Sequence, residues 1–259
     1  MGKRLRRLKL VLEYDGAGYS GFQRQGRRAT VQGALEAALQ RVTQEEISVV
    51  AAGRTDAGVH AVGQVVHLDT ASQLDLATLQ RALNAVLPMD ISVRDVEEVD
   101  SGFHARYGAI SRHYRYSILN VRVRSPLARQ RTTHVATPLD VVAMQAGAVC
   151  LVGEHDFAAF GGKMWEGGTT RRTVHSLAVS RVEDLVQIDI AANAYLSRMV
   201  RSIAGCLIDV GLGAIAPAQV SEILAARNRA LVKRLAPPQG LCLVKVDYTD
   251  SQLFVRSKG

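Results

Sequence analysis

The sequence predicts an α+β protein of two similar halves, each a mainly antiparallel sheet with helices on one face, the sheets meeting at a central cleft. Three observations predict it. Strand-like alternation is interrupted by helical stripes twice over, 47% of the 259 residues are apolar, and no low-complexity tract breaks the chain. That length suits one large domain or two smaller ones, with enough apolar material for a sizeable core.

The elements follow in order. Leu8, Leu10 and Leu12 alternate with Lys9, Val11 and Glu13, as in a strand with one buried face, and the turn signal Asp15-Gly16 ends it. Thr30 is placed to cap a helix on which Val31, Ala34, Leu35, Ala38, Leu39 and Val42 form one apolar stripe. A strand at 63–69, a helix at 76–87 on Leu76, Leu79, Leu83 and Val86, and a strand at 91–99 complete the first half, with Pro88 stopping the helix. The second half repeats the pattern with a strand at 112–119, a helix at 140–152, strands at 173–182 and 185–192, and helices from 195 and over 217–227. A strand at 241–248 closes it. Leu196, Met199, Val200, Ile203, Leu207 and Val210 make the inward stripe of the helix from 195, leaving Arg198 and Arg201 together off that stripe. The junction is expected near 105–112, giving halves of 1–108 and 109–250 and a tail of 251–259. The architecture is of the ferredoxin-like kind.

Net charge is +8, and 26 of the 32 cations are arginine. Arginine's planar fork matches phosphate oxygens, so this bias points towards nucleic acid. Arg122, Arg124, Arg129 and Arg131 lie in a basic loop or edge at 120–136, and the glycine-rich 161–170 is expected to be a mobile loop. The N-terminus lacks the apolar core of a signal peptide, and no apolar run reaches the ~18 residues of a membrane span. A cytoplasmic protein without membrane contact is expected. Cys150, Cys206 and Cys242 are far apart in apolar runs and read as reduced core residues. The seven histidines show no ligand spacing, so no metal is expected.

Gly16 to Gly21 spells G-x-G-x-x-G after a strand, but no helix opens on its third glycine and no acidic residue ends a following strand, so a dinucleotide site is not expected. A nucleophile elbow around Ser20 fails because Phe22 stands where a glycine is required. The informative segment is Gly53-Arg54-Thr55-Asp56-Ala57-Gly58-Val59-His60. There Arg54 is expected to hold Asp56 ionised or to bind a phosphate, while Gly53, Gly58 and Gly63 allow positive φ and close approach of another chain. A positioned carboxylate can act as a nucleophile. In Arg112-His113-Tyr114-Arg115-Tyr116, both tyrosines share one strand face, as core rings or with one ring stacked on a base.

The Gly53–His60 run, Leu10 to Asp15, and Tyr19 to Gln25 together resemble the tRNA pseudouridine synthase A family. Phe103-His104-Ala105-Arg106, Arg112 to Tyr116, Gly153 to Phe157, Ala194-Tyr195, Met199 to Arg201 and Gly240-Leu241 extend the resemblance along the chain. The resemblance implies isomerisation of uridine to pseudouridine at positions 38, 39 and 40 of the tRNA anticodon stem-loop, without cofactor or metal, by a homodimer. It makes Asp56 the nucleophile and has Tyr114 stack on the target base and take the C5 proton. Arg54 and Arg201 pair with Asp56 or bind the RNA backbone, and Leu241 packs under the flipped base. Phe103, His104 and Arg106 belong to the family's substrate-binding stretch, and Arg24, Arg106, Arg171 and Arg172 would offset base extrusion through phosphate contacts. A non-catalytic RNA-binding protein is the alternative. The sequence departs from the family between Trp165 and Thr169, where Glu166-Gly167-Gly168 stands in place of a serine or arginine.

Overall fold

The computed structural model describes residues 5–162 and 168–249. The tail at 251–259 and residues 163–167 of the glycine-rich stretch, including the departure at Glu166, lie outside the described residues. The chain is a mixed α+β protein that divides into two compact units, one running to Ile110 and resuming at Leu243, the other spanning Ser111–Cys242. The expected second half thus loses its last strand to the first unit.

In the first unit β1 (Arg6–Tyr14) runs antiparallel to β3 (His60–Thr70) on one side and to β4 (Ile91–Val99) on the other. The short β2 (Val50–Ala51) pairs with part of β3, and β10 (Leu241–Asp247) lies along β3. Leu8, Leu10, Leu12 and Tyr14 of β1 are all buried, as their alternation dictates. Helices α1 (Val31–Thr43) and α2 (Leu76–Val86) contribute Leu35, Leu39, Leu79 and Leu83 to the same core. Each has a side-chain cap: Thr30 Oγ1 accepts from the Gly33 amide at 3.2 Å, and Asp75 Oδ1 from Thr78 at 2.9 Å.

The second unit holds β5 (Ser111–Leu119), β9 (Leu185–Ala192), β8 (Arg171–Val182) and β7 (Gly153–Asp156) in that spatial order, all antiparallel, with the two-residue β6 (Thr133–His134) parallel to β5. Helix α3 (Val141–Val149) is capped by Asp140, and α4 (Met199–Gly211) and α5 (Gln219–Ala226) follow the sheet. Helix α4 starts four residues later than the expected start at 195. Arg198 sits in the left-handed region at φ 62°, which breaks the helical path and places Arg198 at the cap, off the helix that carries Arg201.

Cys206 is buried, whereas Cys150 and Cys242 are half-buried, and no disulfide forms among the described residues. Among the described residues no helix is long and apolar enough to cross a membrane.

Candidate active site

In the first unit, Asp56 opens a tight turn between β2 and β3. The Val59 amide donates to the Asp56 carbonyl at 3.1 Å, and Gly58, third in the turn, has φ 77°. This left-handed position is open to glycine and strained for other residues. A second stretch of chain straps the turn: the Phe22 amide donates to the Thr55 carbonyl at 3.1 Å, and the Gly58 amide to the Tyr19 carbonyl at 3.3 Å. Gly21, at φ 96°, lies so close that a Cβ would meet the Thr55 carbonyl oxygen at 2.8 Å. The glycine-rich run at 16–21, which mimics a nucleotide loop, thus holds the Asp56 turn through backbone contacts.

A buried polar floor supports the same turn from below. Tyr14 Oη and Thr55 Oγ1 are 2.8 Å apart, and Gln64 Nε2 donates to the Gly53 carbonyl at 2.8 Å while lying 3.5 Å from Tyr14 Oη. The Gly16 amide donates to His60 Nδ1 at 3.1 Å, joining the turn after β1 to the start of β3. Sequence reasoning misses Tyr14, Thr55 and Gln64 as site residues. The alternation of β1 places Tyr14 on the buried face, but only the pairing of β1 with β3 shows what it meets.

Arg54 is exposed. Thr55, between Arg54 and Asp56, turns inward and is buried. Of the three glycines singled out, only Gly58 uses positive φ. Gly63 instead permits close approach, since a Cβ there would lie 2.2 Å from the Val244 carbonyl oxygen, and Gly53 has open space.

Phe103, His104 and Arg106 form a separate cluster. The Ala105 amide donates to His67 Nδ1 at 3.1 Å, anchoring them beside His67. His67 is seven residues along β3 from His60, roughly 23 Å at about 3.3 Å per residue. Phe103 is only 2% exposed, its ring packed 5.0 Å from Tyr248 and 6.2 Å from His67. It is a core residue that carries its neighbours and offers no surface to a ligand. Arg24 is exposed, 3.4 Å from the buried carboxylate of Glu36.

In the second unit, Tyr114 and Tyr116 share the buried face of β5, while Arg115 turns outward to pair with Asp189 at 2.8 Å. Tyr114 is 8% exposed and packs edge-on against Tyr195, with ring centres 5.2 Å apart. The Tyr195 hydroxyl donates to the Arg112 and Ile190 carbonyls at 3.0 and 3.1 Å, and burial raises its pKa well above the usual tyrosine range. Tyr195 therefore stays protonated and fixes the Tyr114 ring. Tyr116 bonds Thr133 and the Pro237 carbonyl, with burial pushing it up to about 12. Arg201 donates from Nε to the Ala236 carbonyl at 2.8 Å, and Leu241 is buried at the start of β10.

Arg171 is exposed beside Glu154, at 2.9 Å. Arg172 is not a surface cation: only 9% exposed, it donates to the Thr169 and Arg171 carbonyls at 2.9 and 2.5 Å, and burial lowers its pKa. It shares the inward face of β8 with Val174, so the expected phosphate contact by Arg172 gives way to a bracing of the 169–171 turn.

This basic α+β chain carries, in one unit, a carboxylate on a doubly strapped glycine turn and, in the other, a tyrosine fixed by a second tyrosine, groups of the kind enzymes use. Comparison with known proteins makes this specific. The family model described as tRNA pseudouridine synthase matches residues 10–108 and 148–249. The chain is 47% identical to tRNA pseudouridine synthase A of Brevibacillus brevis, over 94% of this chain and 100% of that one. It is 46% identical to the enzymes of the same name from Nitrosococcus oceani (94% of each chain) and Klebsiella pneumoniae (93% of this chain, 90% of that one). The chain belongs to the tRNA pseudouridine synthase family, isomerases that convert uridine to pseudouridine.

Proposed function

We propose that this protein isomerises uridine to pseudouridine at positions 38, 39 and 40 of the tRNA anticodon stem-loop, with Asp56 as the nucleophile. The observation that carries the reading is the Asp56 turn: a carboxylate at the head of a hydrogen-bonded turn, strapped by Tyr19–Phe22 and floored by Tyr14, Thr55 and Gln64. A surface turn that served only to reverse the chain would need no such bracing.

The reaction breaks the N1–C1′ bond, forms a C5–C1′ bond, and moves the C5 proton off the ring while N1 gains one, so its atoms balance without redox chemistry. A covalent bond to the Asp56 carboxylate holds the intermediate while the base is reoriented. In this reading Tyr114 lies against the target base and removes the C5 proton, Arg54 and Arg201 neutralise phosphate or carboxylate charge, and Leu241 packs under the base. Arg24, Arg106 and Arg171 meet the RNA backbone. Each half is ferredoxin-like in this reading, and the working form is a cytoplasmic homodimer that needs no cofactor.

The test is incubation of the protein with a tRNA transcript carrying tritium at uridine C5, comparing wild type with Asp56→Ala and Asp56→Asn. Tritium release by wild type alone is expected, with RNA affinity and melting temperature kept by the variants. Release by both would move the nucleophile elsewhere, and tight binding without release would make this an RNA-binding protein.

A further inference from the structure

Tyr107 is a large aromatic ring left 78% exposed on a basic protein, and it is not loose. The His104 ring lies 4.5 Å from it, tilted by 32°. His104 is itself fixed, because its Nδ1 accepts from the Arg106 and Tyr107 amides at 3.2 and 3.1 Å. Behind it stands His67 at 4.7 Å, seated in the core edge-on to Phe103. A column of rings thus runs from the interior of the first unit to an open tyrosine at the surface. The Arg106 guanidinium carbon lies over the Tyr107 ring, 5.5 Å from its centre, a position from which a flexible side chain can swing to meet a phosphate.

The column is uncharged near neutral pH. Burial, then the neighbouring His104 and Arg7, lowers His67 to about 4, and burial lowers His104 as well. Neutral imidazoles stack without opposing the Arg106 charge. A held ring with an open surface and an adjacent cation is the chemistry that binds an unstacked nucleobase and its phosphate.

We propose that Tyr107, backed by His104 and flanked by Arg106, is a stacking platform for a nucleotide of the RNA other than the target uridine. The inference rests on the proposed action on tRNA. Separation sets its place: the platform stands at the His67 end of β3, roughly 23 Å from the Asp56 end at about 3.3 Å per residue. At about 3.4 Å per nucleotide of stacked strand, that is several nucleotides away. The platform would therefore act on substrate capture and register, leaving the chemical step to the other end of the strand.

The experiment measures Kd for an unmodified tRNA transcript, kcat and KM of pseudouridine formation, and the salt dependence of Kd, for wild type, Tyr107→Ala, Tyr107→Phe and Arg106→Gln. Tyr107→Ala is expected to raise Kd and KM by about 5- to 150-fold, the range for loss of one base stack, with kcat moved by less than about twofold. Tyr107→Phe, which keeps the ring, should stay within about twofold of wild type. Arg106→Gln should lower the salt slope by about one, while Tyr107→Ala leaves the slope alone. An unchanged Kd in Tyr107→Ala overturns the platform, as does a Tyr107→Phe variant as weak as Tyr107→Ala. If wild type binds tRNA but forms no pseudouridine, the proposed function fails while the Kd series still decides the platform.

Discussion

Tyr14 Oη lies 2.8 Å from Thr55 Oγ1, in the buried floor directly beneath the residue that precedes Asp56. Gln64 approaches the same hydroxyl from the other side at 3.5 Å and holds the Gly53 carbonyl at 2.8 Å, so one side chain ties the start of the turn to its floor. Tyr14→Phe keeps the ring packing but strands the Thr55 hydroxyl. A loss of about 1–3 kcal/mol in stability is expected, the cost of a buried polar group left without a partner. Because the floor supports Asp56 and does not bind RNA, kcat should fall with KM nearly unchanged, as steady-state kinetics on a tRNA transcript would show.

The glycines around the turn differ in what they tolerate. Gly21→Ala meets both a left-handed backbone and the Thr55 carbonyl at 2.8 Å, and should cost about 1–3 kcal/mol while displacing the Asp56 turn. Gly53→Ala has open space and no positive φ, so its stability should stay within about 0.5 kcal/mol of wild type. Denaturant melts of the two variants provide the comparison, and equal losses would contradict the strap.

For Tyr114→Phe, the ring stays against Tyr195 and stacking survives, but the hydroxyl that takes the C5 proton is gone. RNA affinity should hold while tritium release from uridine C5 slows. Full turnover would restrict Tyr114 to stacking.

His67 sets a stability change with pH. Burial holds the folded residue neutral down to about 4, whereas the unfolded chain takes its proton near 6.5. Between those values the unfolded state binds more protons, so this contribution to stability is whole above about 6.5 and is lost as pH falls towards about 4. His67→Gln should show a shallower decline in melting temperature from pH 7 to pH 4.5 than wild type. Parallel curves would exclude His67 as the source.

Local physics makes some elements legible in the sequence and not others. Helix α1 is readable because its apolar stripe and the Thr30 cap agree, and β1 because alternating leucines need no partner to be recognised. The start of α4 is not, since the periodicity from Leu196 continues through Arg198 and only its backbone angle breaks the helix. Strands β2, β6 and β7, of two to four residues, are too short to carry a period. At the site, the Asp56 run stands out as a motif, yet its floor joins residues 41 and 50 positions apart, which meet only through strand register. The inward turn of Arg172 has a signal in the alternation with Val174, outweighed by the general tendency of arginines to face solvent.

Strand β10 lies along β3 of the first unit, although the whole second unit intervenes in the chain. On the ribosome, β3 therefore emerges with one long edge uncovered and keeps it so while more than 130 further residues, Ser111–Cys242, are made. The nascent protein carries an unprotected sheet edge through half of its synthesis. Truncation before Leu243 would leave that edge permanently open to pairing with other chains, making the last strand a guard against aggregation as well as a part of the fold.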